Sequence, residues 1–62
     1  MYKLEVFYEG VLDHVERQAS AVSVLNRIPQ LLLEHDGCEK IVVSFDATRL
    51  FAVDCKGNRM PA

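Results

Sequence analysis

Residues 20–37 read SAVSVLNRIPQLLLEHDG, and the way this stretch folds decides the architecture of the whole chain. It is the longest apolar-rich run and the best helix candidate. Ser20 suits the N-cap, because its hydroxyl can accept from a free amide of the first turn. Ala21, Val24, Leu25, Ile28, Leu31 and Leu32 recur at helical spacing and form one stripe. Asp36-Gly37 closes the segment, with Gly37 suited to left-handed backbone just past the end. Pro29 opposes this reading, since a proline inside a helix lacks an amide, crowds the preceding turn and costs about 3 kcal/mol. In the competing parse Asn26 is the N-cap, Pro29 falls in the first turn and SAVSV is extended. The stripe runs unbroken through the proline, which favours the long helix, with a kink near Leu25 to Pro29.

Working outward, residues 2–8, YKLEVFY, alternate with the period of two of a half-buried strand. Tyr2, Leu4, Val6 and Tyr8 point to the core, while Lys3, Glu5 and the aromatic Phe7 point away. Glu9-Gly10 is a turn signal. The polar HVERQ after it reads as a weak strand suited to a sheet edge, with Val15 directed inward opposite Leu4 or Val6. Beyond the helix, residues 38–45, CEKIVVSF, are the most β-prone run and pair with residues 50–55, LFAVDC, as an antiparallel hairpin. An odd loop count gathers Ile41, Val43, Phe45, Phe51, Val53 and Cys55 on one face, with Lys40 opposite Asp54 outside. An even count inverts one strand and brings Cys38 and Cys55 to the same face. The odd register segregates polarity better and predicts free thiols. After a turn at Gly57-Asn58 the tail is expected to fray.

The order strand, weak strand, helix, strand, strand predicts one α+β domain over residues 1–62. It is a two-layer sandwich, an antiparallel sheet of three or four strands in ββαββ order with one helix on one face. The expected strand order is 2-1-3-4, with KIVVSF in the middle. No stretch approaches the roughly 20 apolar residues of a membrane span. Met1 leads into the strand with no signal-peptide pattern, and two cysteines are too few for a disulfide scaffold. A cytoplasmic chain is expected.

Half of the 62 residues are apolar, yet a chain this short buries only about 60% of the surface its unfolded form exposes. On a helical wheel the polar Ser23, Asn26, Arg27, Gln30 and Glu34 occupy a narrow arc. Val22, Pro29 and Leu33 form a second apolar ridge beside the core stripe, so the apolar arc spans roughly 200° where docking on a sheet needs about 100°. Phe7, Val42 and Leu50 repeat the anomaly on the outer sheet face. These six residues are the candidate interface, most simply with a second copy about a two-fold axis, or with another protein.

Catalysis finds no support in the residues. The imidazoles His14 and His35 belong to no nucleophile-and-base constellation, and the three glycines are scattered in turns. His35, Asp36 and Cys38 lack the paired ligand spacing of a zinc site, so neither metal nor cofactor is expected. The formal net charge of -2 opposes phosphate binding by bulk electrostatics. The alternative reading is a small nucleic-acid-binding regulator using Lys40, Arg49, Lys56 and Arg59, with aromatics such as Phe7 for stacking.

Overall fold

The structure is a computed structural model in which residues 1–60 are described. Among these residues the chain forms β1 (Tyr2–Tyr8), β2 (Val11–Gln18), α1 (Ala21–Glu34), β3 (Lys40–Phe45), β4 (Thr48–Asp54) and β5 (Arg59–Met60). The strands make one antiparallel sheet in the order β2-β1-β3-β4-β5. One helix lies between the two strand pairs in sequence and covers one face of the sheet. This is the expected α+β sandwich and strand order, extended by a fifth strand.

That strand corrects the expectation of a frayed tail up to Met60; Pro61 and Ala62 lie outside the described residues. Asp54 Oδ1 accepts from the amides of Lys56 and Asn58, both at 2.9 Å. This turn returns the chain so that Arg59 and Met60 pair with Val53 and Ala52. A short polar side chain that binds its own backbone a few residues on sets such turns.

The helix is continuous through Pro29. Ser20 caps it, extended at φ -137 and ψ 159, with the Ser23 amide donating to its hydroxyl oxygen at 3.1 Å. The parse that started a shorter helix at Asn26 is therefore overturned. The helix ends at Glu34, and Gly37 takes the left-handed φ of +81 that turns the chain toward β3.

The core lies between helix and sheet: Leu4 and Val6 from β1, Ile41 and Val43 from β3, Val53 from β4, Val24, Ile28 and Leu31 from α1, and Cys38 at the junction. The helix is rolled from its expected seat. Its buried line runs through Val24, Ile28 and Leu31, while Ala21 and Leu25 face solvent. That is a rotation of roughly 35° at about 100° per residue, with Leu32 still packed against the core.

Two bulges set the register of the sheet. Glu9 and Gly10, both at positive φ, make a two-residue turn between Tyr8 and Val11, the geometry that matches strand twist. Left alone, that turn would place Val15 opposite Leu4. Instead the pairing passes from Phe7↔Leu12 to Val6↔His14, leaving Asp13 unpaired. One extra residue turns the rest of β2 over. Val15 pairs with Glu5 and is exposed, which corrects its inward assignment, and Glu16 lies opposite Leu4.

The second bulge is in β4. Phe45↔Thr48 closes a two-residue turn at Asp46-Ala47, and Leu50 drops out between Ser44↔Arg49 and Val43↔Phe51. An even loop plus one bulged residue has the parity of an odd loop. Lys40 accordingly pairs with Asp54 and Ile41 with Val53, as the segregated register requires. Cys38 is a buried thiol and Cys55 an exposed one. Phe45 and Cys55 do not join the core. Phe45 is at the end of the sheet, its ring edge-on to Tyr2 at 4.8 Å, and Cys55 lies in the turn beyond β4.

Candidate interaction surfaces

The inversion of β2 gives the inner face of that edge strand His14, Glu16 and Gln18, three polar residues beneath a helix. A charge there is tolerated only if it is paired and hydrogen-bonded. Arg27 supplies the pairing. Its Nε donates to Glu16 Oε2 at 2.7 Å, and its two terminal nitrogens donate to the Glu34 carboxylate at 2.9 and 3.0 Å. Gln18 donates to Glu16 Oε2 at 3.0 Å, and His14 Nε2 stands 2.8 Å from Oε1. Burial pushes the Glu16 carboxyl up, but the hydrogen bonds from Arg27, His14 and Gln18 outweigh it and hold the group at about 2. Glu34 is lowered first by its hydrogen bonds from Arg27, and the Arg27 guanidinium is raised by Glu34 and then Glu16. Farther along, His35 lies 3.5 Å from Asp13 and its ring is 5.0 Å from that of His14.

This polar seam explains the roll of the helix. Arg27, assigned by sequence to the solvent arc, is drawn against β2 and keeps only 22% exposure. The opposite side of α1 is pushed into water. Leu33 is 83% exposed, Val22 67% and Leu25 59%, with Pro29 exposed among them. Val22, Leu25 and Pro29 are spaced three and four residues apart and share one flank of the helix. The expected ridge of Val22, Pro29 and Leu33 is thus solvent-facing. Leu25 was missed because its spacing equally suits the core stripe.

No such ridge forms on the outer sheet face. Val42 is only 1% exposed, enclosed between its pairing partners Glu5 and Ala52, so it has no surface of its own to offer. Phe7 is half-buried with the Lys40 ammonium 5.4 Å from its ring centre. Leu50 is exposed, but as the bulged residue of β4 it lies at the other end of the hairpin from Phe7.

The four cations of the alternative reading do not converge. Lys40 and Arg49 lie on the outer face, Lys56 is in the turn before β5, and Arg59 rests on the Phe51 ring at 4.1 Å. Burial pushes the Cys38 thiol up. The Asn58 and Lys56 amides lower Asp54. Among the described residues, no three His, Cys, Asp or Glu side chains stand together as metal ligands, and no pocket opens. Among the described residues no helix is long and apolar enough to cross a membrane. Comparison with known proteins finds no matching family model, curated protein or solved structure.

Proposed function

We propose that the protein is a small non-enzymatic interaction module that pairs with a second copy of itself through the exposed flank of α1. One observation carries this reading: the helix draws Arg27 against the sheet and turns its apolar residues outward, leaving that flank without charge. Arg27 and Glu34 are the charged side chains of α1, and they are bonded to each other. The remaining exposed positions are Ala21, Val22, Leu25, Asn26, Pro29, Gln30 and Leu33. Surface helices ordinarily present charge to water, whereas the centre of a protein interface is depleted of it.

An uncharged flank favours a copy of itself as the partner, because two such faces meet across a two-fold axis without like-charge repulsion. The exposed ridge amounts to a few hundred Å² per copy, the size at which an apolar patch usually has a use. That places the pair at the small end of specific interfaces, so micromolar association is expected.

Sedimentation equilibrium over a micromolar concentration series tests the reading. The wild type should dimerise and Leu33→Asp should remain a monomer with an unchanged far-ultraviolet spectrum. A wild type that stays monomeric throughout refutes it.

A further inference from the structure

A second surface, separate from the helix flank, follows from the register of the sheet. Arg17 pairs with Lys3, Lys3 with Ser44 and Ser44 with Arg49. These residues alternate with the inward-facing Glu16, Leu4 and Val43, so all four occupy the outer face. Three cations therefore stand in one row across β2, β1, β3 and β4. Adjacent strands are about 4.8 Å apart, which makes the row roughly 15 Å long.

Ser44, at its centre, is buried with 7% exposure between Lys3 and Arg49. Like charges directly opposite across a strand pair are destabilising, yet Arg17 and Lys3 are so placed. Among the described residues neither Arg17 nor Arg49 has an ion-pair partner, and Lys3 meets only Glu5, at 3.9 Å. The lack of a compensating carboxylate for Arg17 and Arg49 inside the fold points to compensation from outside it.

The charge of the molecule is also partitioned by face. Lys3, Arg17, Lys40 and Arg49 share the outer face with Glu5 and with Asp54, whose carboxylate is committed to the Lys56 and Asn58 amides. The other seven acidic residues lie on the helix side or at the loop ends. An acidic chain thus carries one basic face. On that face Phe7, under Lys40, is an aromatic four residue-pairs along the strands from the basic row, roughly 13 Å away at the rise of a strand, with Glu5 between them.

We propose that the outer sheet face binds single-stranded nucleic acid, with Arg17, Lys3 and Arg49 on successive phosphates and Phe7 against a base. A cationic track with an aromatic on the same face, within a nucleotide's reach, is the arrangement that holds single strands without sequence readout. The row crosses an open sheet, so it can follow one backbone and offers nothing shaped to a duplex groove.

Fluorescence anisotropy with short labelled single-stranded DNA and RNA, titrated between about 50 and 200 mM salt, tests this. The wild type should bind at low salt and weaken as salt rises. Each phosphate neutralised on a single strand contributes about 0.7 to the slope of log K against log salt. The combined Lys3→Gln, Arg17→Gln and Arg49→Gln variant should lose about 2 from that slope and at least tenfold in low-salt affinity. The Lys56→Gln and Arg59→Gln pair should stay within about twofold of wild type, since neither residue is on the row. If the triple variant does not fold by circular dichroism, Arg17→Gln alone should lower the slope by about 0.7.

Absence of binding at low salt overturns the proposal, and so does equal loss in the Lys56 and Arg59 variant. Polyglutamate binding as tightly as the oligonucleotide would reassign the face to acidic polypeptides. Tighter binding of duplex than of single strand would also overturn it.

Discussion

Glu16 concentrates the chemistry of the fold in one side chain. It is 16% exposed, on the inner face of an edge strand, and it stays charged because Arg27, Gln18 and His14 surround its two oxygens. Its carboxyl is lowered from 4.5 to about 2 in the folded protein. A depressed folded-state value means that its stabilising contribution is complete above about pH 4.5 and is lost as pH falls toward about 2. With allowance for solvent screening, Glu16→Gln should cost about 1–2 kcal/mol at neutral pH. The variant should also lack this share of the acid-induced loss, so urea denaturation at neutral pH and near the folded value checks both. An equal gap between variant and wild type at the two pH values would sink the account. Nothing local in VLDHVERQ marks Glu16 as the inward residue. Alternation taken from the turn selects Val15, and only the bulge at Asp13 reverses it.

At the scale of elements, α1 was legible because its signals agree. Ser20 caps it, Gly37 turns the chain after it, and the apolar period passes through Pro29 without a break. Pro29 remains a local cost, since it has no amide to give the Leu25 carbonyl. Pro29→Ala should therefore stabilise the protein by about 1–3 kcal/mol, read as a raised denaturation midpoint in urea at fixed protein concentration. Loss of stability would show that the ring contributes more through contacts than it costs in the helix. Strands β1 to β4 were legible in type and in order, β5 was not, and the faces of the strands were less so. The β1–β2 and β3–β4 hairpins each carry one unpaired residue, Asp13 in the first and Leu50 in the second. In β4 the bulge restores the expected alternation of Ile41, Val43, Phe51 and Val53, because burying those residues together outweighs the unpaired position. In β2 the bulge defeats the expectation, because Val15 gives way to a charged residue that the helix can pair.

For the whole molecule, a 62-residue chain with half its residues apolar has a core of one helix and one face of a sheet. Such a domain is marginal by itself. Association through the α1 flank would add stability by mass action. The thermal midpoint of the wild type should rise with protein concentration across the micromolar range, while that of Leu33→Asp should not. A concentration-independent midpoint in both would argue against pairing. The basic row on the outer face is on the opposite side of the sheet from α1, so the two proposed contacts do not compete for surface.

The sequence by itself determined the types and order of the elements from β1 to β4, the position of KIVVSF at the centre and the surplus of apolar residues on α1, but not β5. These follow from local periodicity, capping and turn chemistry, each written within a few residues. Tertiary structure alone decided which faces those elements show. The inward turn of Glu16, the roll of residues 20–37 toward Arg27, the enclosure of Val42 and the alignment of Arg17, Lys3 and Arg49 all depend on register across strands. The physical reason is that a single bulged residue inverts every side chain beyond it. Whether a bulge forms is decided by burial and charge pairing among residues far apart in the chain.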